Sequence, residues 1–177
     1  MEWNGYRIEA GADLGGAFLF GALLAAANLE AAILRDNVLA EAKLISANLR
    51  CANLKFANLE GARLTNAHLS RTLLGHANLR DANLGSAKLT EASLVDADLS
   101  NANLSNANCA TSNPQRVVLA GANLSCANLT GANLTSANLL GQMLPMPNSM
   151  GASSPALLAT NQLEDARILP KAAPLMN

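Results

Sequence analysis

From Leu14 to Leu144 the chain sets a leucine at every fifth position. Of the 27 positions in this series 25 are Leu, the exceptions being Cys109 and Pro114. Two residues before each, Ala stands in 22 of the 27 windows, the exceptions being Asn37, Thr72, Ser112, Val117 and Gln142. On an α-helix a step of five advances about 500°, or 140° net, so these leucines would wind around every side. In a flat strand a step of five is odd, so successive leucines would point to opposite faces. Neither regular structure can bury the series.

A unit with a short extended piece and a corner does satisfy it. Taking each Leu position as i, residues i−2 and i face inward, i−1 faces outward, and the chain turns at i+1 and i+2. The corner slots hold turn-tolerant residues such as Gly121, Ser125, Gly131 and Ser136. Asn at i−1, as in Asn48, Asn53 and Asn58, stays outside, where it can hydrogen-bond neighbouring rungs. Half the residues are apolar but only 3% are aromatic, so the interior is one of stacked Ala and Leu.

Over about residues 10–144 these words resemble the pentapeptide-repeat family, whose motif is A(D/N)LXX. The resemblance implies an all-β fold, a right-handed quadrilateral β-helix with four repeats to each coil. It implies about seven coils, and at about 4.8 Å per rung a rod of about 33 Å. Residues 20 apart then share a column, each Leu stacking on another for about 1.5–3 kcal/mol of burial. Solenoid ends need covers.

The expected organisation is an N-terminal cap over 1–11, the β-helix over 12–144, a turn-rich loop over 145–155 and a C-terminal cap over 156–177. Trp3, Tyr6 and Ile8 are suited to covering the first coil. Between Cys109 and Leu119 the words dissolve around Pro114, which cannot donate a ladder bond. An irregular half-coil is expected there, with a protruding loop as the alternative. Residues 156–169 read either as repeats in a shifted phase or as a helix capped by Ser154.

No enzyme is expected. Nucleophile, base and orienter cannot be assembled, and no catalytic, cofactor-binding or metal site is assigned. His68 and His76 fall on outward slots of neighbouring faces and read as surface polar residues. Cys51, Cys109 and Cys126 have no metal-ligand spacing and leave an odd thiol, which fits a reducing compartment better than a disulfide framework. The apolar run 17–27 follows acidic residues, lacks a basic start and is too short to span a bilayer. A cytoplasmic or organelle-interior location is therefore expected, without membrane insertion.

With a formal net charge of −1 the chain favours no nucleic-acid partner, so function is sought on outward slots. Glu41, Glu60, Asp81 and Asp98 form an acidic strip, interrupted by Arg80. Lys43, Arg50, Arg63, Arg71 and Lys88 form a basic band, partly offset by Glu30 and Glu91. In the first two coils Phe18, Phe20, Leu23, Ile33, Val38 and Ile45 make an apolar patch, which on a soluble protein usually marks a contact surface. The expected function is a non-enzymatic protein–protein interaction module, docking a protein partner or a second copy through this patch. The alternative implied by the resemblance is a DNA-mimicking inhibitor of type II topoisomerase (gyrase), similar to the quinolone-resistance branch. The near-zero charge counts against that alternative, since a phosphate mimic should be acidic.

Overall fold

The computed structural model describes residues 1–140. The C-terminal loop and cap expected over 145–177 lie outside them.

Each repeat is one rung edge and one corner. The corner is a hydrogen-bonded β-turn, with Ala17 N–H donating to Leu14 C=O at 3.0 Å and Ala22 N–H to Leu19 C=O at 3.1 Å. Among the non-glycine residues at i+2, φ is positive throughout, from Ala26 at 54° to Ser136 at 57°. A positive φ at the third turn residue alone defines a type II turn. An L-residue there costs about 1–2 kcal/mol. The left-handed corner aims its N–H along the axis, and this N–H is satisfied by the next coil: Gly16 donates to Arg35 C=O at 2.9 Å and Glu41 to Glu60 C=O at 2.8 Å.

Parallel bridges join residues 20 apart, as in Phe18↔Val38↔Asn58↔Asn78↔Asp98. One coil is therefore four repeats, and the chain is a β-helical solenoid with four corners to a turn. Leu19, Leu39, Leu59 and Leu79 are fully buried in one such column, with Ala22, Ala42 and Ala62 equally buried at the next edge. Leu59 and Leu104 both face the core.

One backbone donor per repeat finds no partner in this ladder, the N–H of i+1. The outward Asn takes it. Lys55 N–H donates to Asn53 Oδ1 at 3.2 Å, Glu60 to Asn58 at 3.1 Å and Gly85 to Asn83 at 3.0 Å. The same amides also climb the rod, Asn78 Nδ2 donating to Asn58 Oδ1 and Asn103 Nδ2 to Asn83 Oδ1, both at 3.2 Å. The sequence-based role for Asn covered the second bond only.

Residues 110–118 stay in the coil, with Ser93↔Asn113 and Asp98↔Val118 bridged and Ser112 and Val117 buried. Pro114 removes the donor that would reach Asn133 C=O, while Asn133 N–H still donates to Ser112 C=O at 3.0 Å. Where Cys109 and Pro114 replace Leu, an axial cavity of about 20 Å³ remains, lined also by Leu94, Leu119 and Leu134. Burial pushes the Cys109 thiol up to about 12. Of the polar residues at Ala positions, Thr72 and Ser112 donate to carbonyls, at 2.6 Å from Leu69 and 2.6 Å from Cys109. Asn37 is 1% exposed and neither amide atom has a partner among the described residues.

At the N-terminal end a two-stranded hairpin, β1 (Glu2–Trp3) and β2 (Tyr6–Arg7), packs Trp3 and Tyr6 against the core. Asn4 and Gly5 both have positive φ, the geometry of a tight primed hairpin turn. Ile8 is buried beneath it.

Candidate interaction surface

The 20-residue register sorts the outward residues into faces. Phe18 and Val38 are bridged on one face, and Phe20 stands at its following corner with its ring 6.3 Å from that of Phe18. Leu23 and Ile45 lie beyond that corner and Ile33 lies round the corner before, so the six residues span three adjacent faces. Phe18 is 59% exposed, Leu23 51% and Phe20 47%, while Ile33 and Ile45 are exposed and Val38 half-buried. Three large side chains half in water on adjoining slots are costly for a monomer. Covering the exposed half of each would gain roughly half of the 1.5–3 kcal/mol for a whole side chain, about 0.8–1.5 kcal/mol.

These slots carry a second peculiarity. Phe18, Leu23, Ile33, Val38 and Lys43 occupy i−1 positions, where Asn usually caps the i+1 N–H. No side-chain oxygen replaces it among the described residues.

The acidic strip is assembled but diluted. Glu41 lies over Gly61, its Cγ 3.7 Å from where a Cβ would be, and Asp81 follows in that column. Glu60 accepts from Asn78 Nδ2 at 3.2 Å. Asp98 is paired with Arg80 at 3.5 Å and accepts from Ser100 Oγ at 2.6 Å. One of the four carboxylates is thus neutralised inside the strip.

The basic band divides likewise. Arg50 pairs with Glu30 at 3.7 Å and Arg71 with Glu91 at 2.9 Å. Lys43 and Arg63 are bridged neighbours with no ion pair among the described residues, and Lys88 Nζ lies 3.2 Å from His68 Nε2 round the next corner. Within the band, the positive charge without an ion pair among the described residues is that of Lys43, Arg63 and Lys88.

Sequence reasoning confined the outward apolar residues to the first two coils and so missed Phe56, 54% exposed, and Leu73, 38% exposed. Phe56 occupies a left-handed corner at φ 61° and stacks on His76 one coil on, rings 4.9 Å apart and 2° from parallel. The signal was available: a phenylalanine in a corner slot, with an imidazole twenty residues later. The column continues to Asp96, 3.7 Å from His76 Nε2, and to Arg116, which holds the Asp96 carboxyl below its ordinary range.

A coil of four pentapeptides, aliphatic inside and polar outside, defines the class as a β-helical repeat solenoid. The pentapeptide repeats model matches eight copies over residues 22–66, 38–75, 77–108 and 115–141, more than half of the chain, and the chain belongs to that family. None of the curated proteins matches it significantly. Among solved structures it is similar to the pentapeptide repeat protein Rfr23 from the cyanobacterium Cyanothece 51142, with 35% identity, 57% of this chain and 60% of that one covered, and a TM-score of 0.37. It is also similar to a pentapeptide repeat protein of the Arabidopsis thaliana thylakoid lumen, with 24% identity, 76% and 70% coverage and a TM-score of 0.43. A third is QnrB1, a plasmid-mediated fluoroquinolone resistance protein, in a trypsin-treated form, with 18% identity, 80% and 78% coverage and a TM-score of 0.37. The chain thus spans 60% of the cyanobacterial relative's length.

Among the described residues no three metal-ligating side chains come together, and no helix is long and apolar enough to cross a membrane.

Proposed function

We propose that this chain is a non-enzymatic interaction module, a rigid β-helical scaffold that docks a protein through its apolar N-terminal coils. The observation that carries the reading is the adjoining exposure of Phe18, Phe20 and Leu23 on a rod whose other outward slots are mostly polar. Aromatic anchors beside a polar surround are the composition of a protein contact. The charged faces set orientation and encounter rate, Lys43 and Arg63 on one side and Glu41 and Asp81 on another. The family implies a right-handed wind of about seven coils at about 4.8 Å each, which gives a stiff platform.

The test is replacement of Phe18 and Phe20 by Ser. Both side chains face water, so the circular dichroism should not change, while the co-purifying partner is lost. A partner that still co-purifies removes this docking surface.

The second reading, inhibition of gyrase by DNA mimicry, draws on the carboxylates of Glu41, Glu60 and Asp81, which have no ion pair among the described residues. Arg80 in their midst and the net charge of −1 weigh against it. Absence of inhibition in a supercoiling assay at micromolar protein eliminates it.

A further inference from the structure

Beside the Phe56–His76 stack lies a groove of about 300 Å³ lined by Lys55, Phe56, Gly75, His76, Ser93 and Val95. Gly75 contributes no side chain to it: a Cβ there would stand 3.6 Å from Val95 C=O and 3.9 Å from Lys55 Cγ. Gly75 and Val95 occupy i+1 slots in successive coils, the one slot whose N–H the ladder leaves free. In neighbouring repeats an Asn carbonyl oxygen takes that proton at about 3.0–3.2 Å, as Asn53 and Asn83 do. Here the i−1 residues are Leu73 and Ser93, and among the described residues neither N–H has an acceptor.

Two backbone donors thus stand one rung apart, roughly 4.8 Å. Lys55, with no ion pair among the described residues, lines the same groove as Ser93 and His76, so its flexible stem starts within reach of both donors. Asp96, the carboxylate adjoining the groove, is held by Arg116 at 2.6 Å. Free donors, one cation and no free carboxylate select an anion, since each unmade hydrogen bond is costly and charge-assisted ones are the strong ones. The apolar walls of Phe56 and Val95 select a body behind the charge, and the flat ring stack favours a planar one. The carboxylate would occupy the seats that Asn oxygens fill elsewhere on the rod.

We infer that this groove is a binding site for a small carboxylate with a flat apolar body. The site is separate from the apolar docking surface and stands or falls independently of it.

The test is an amide-resolved NMR titration of the full chain with benzoate, and with benzamide and inorganic phosphate as comparators. Saturable millimolar shifts at the Gly75 and Val95 amides are expected with benzoate, and none with benzamide. Lys55→Gln should weaken binding about tenfold, the loss of one charge-assisted bond. The pair Leu73→Asn and Ser93→Asn restores the family's own residue, so the coil is kept while both donors are occupied internally. Saturable shifts should then vanish. Shifts that fail to saturate, that appear equally with benzamide, that are matched by phosphate, or that survive the double Asn variant overturn the assignment.

Discussion

Arg116 lies one coil beyond Asp96 and grips both of its carboxylate oxygens, Nε to Oδ1 at 2.6 Å and Nη2 to Oδ2 at 2.5 Å. The hydrogen bond from Arg116 is the first cause of the lowered Asp96 pKa, with the charges of Arg116 and His76 adding to it against partial desolvation. A depressed carboxylate pKa stabilises the folded state above its unfolded value, near 3.8, and that contribution fades as pH falls through the folded value. The melting temperature of Arg116→Gln should therefore lie below that of the parent at neutral pH and converge on it in acid. A difference that persists unchanged into strong acid contradicts the pairing.

Asn37 carries an amide into an alanine column, and among the described residues neither end has a partner. Burying such a group unpaired costs about 1–3 kcal/mol by mutational measures. Asn37→Ala restores the small residue found at this slot in the coils on either side, Ala17 and Ala57. Chemical denaturation should show a gain of about 1–3 kcal/mol, and a loss of stability would mean the amide is satisfied.

Leu59 is fully buried between the leucines of the coils on either side. Leu59→Ala should cost about 2–5 kcal/mol, the range for a leucine cavity in a tightly packed interior. Phe20→Ala, on the outside, should change stability by about 0.5 kcal/mol or less. Equal costs at the two sites would overturn the assignment of inside and outside.

The three thiols should divide two to one, since Cys51 and Cys126 are exposed and Cys109 is buried. A thiol reagent at neutral pH should modify two in the native protein and the third only on unfolding. With the Cys109 pKa near 12, folding also opposes its ionisation, so stability should fall as pH rises from about 9 towards 12. Three thiols reacting together would place Cys109 in water.

The five-residue period was enough to name the inward slots, because an odd step excludes both helix and flat strand before any propensity is consulted. The 20-residue column of Phe18 and Val38 came from the family's four-sided coil and is present. The corners were less legible. Gly121 and Ser136 suggest a turn, but Glu41, Phe56 and Arg71 adopt the same left-handed conformation, because the N–H it aims along the axis is taken by the next coil. The bond from Asn Oδ1 to its own i+1 N–H depends on that geometry and could not be inferred from spacing. The Arg116–Asp96 grip joins two corner slots twenty residues apart, yet Arg116 sits among the broken words around Pro114, where the pattern offers no guide. The groove at Gly75 is legible only once the role of Asn is known, since it is defined by two places where Asn is missing.

The functional account turns on whether another protein sits over the N-terminal coils. Photo-crosslinking in the native cell, with the reactive amino acid at position 20 or at position 130, measures this directly. A discrete protein adduct at 20 that is absent at 130 is the expected result. No adduct at 20, or the same adducts at both positions, would contradict it.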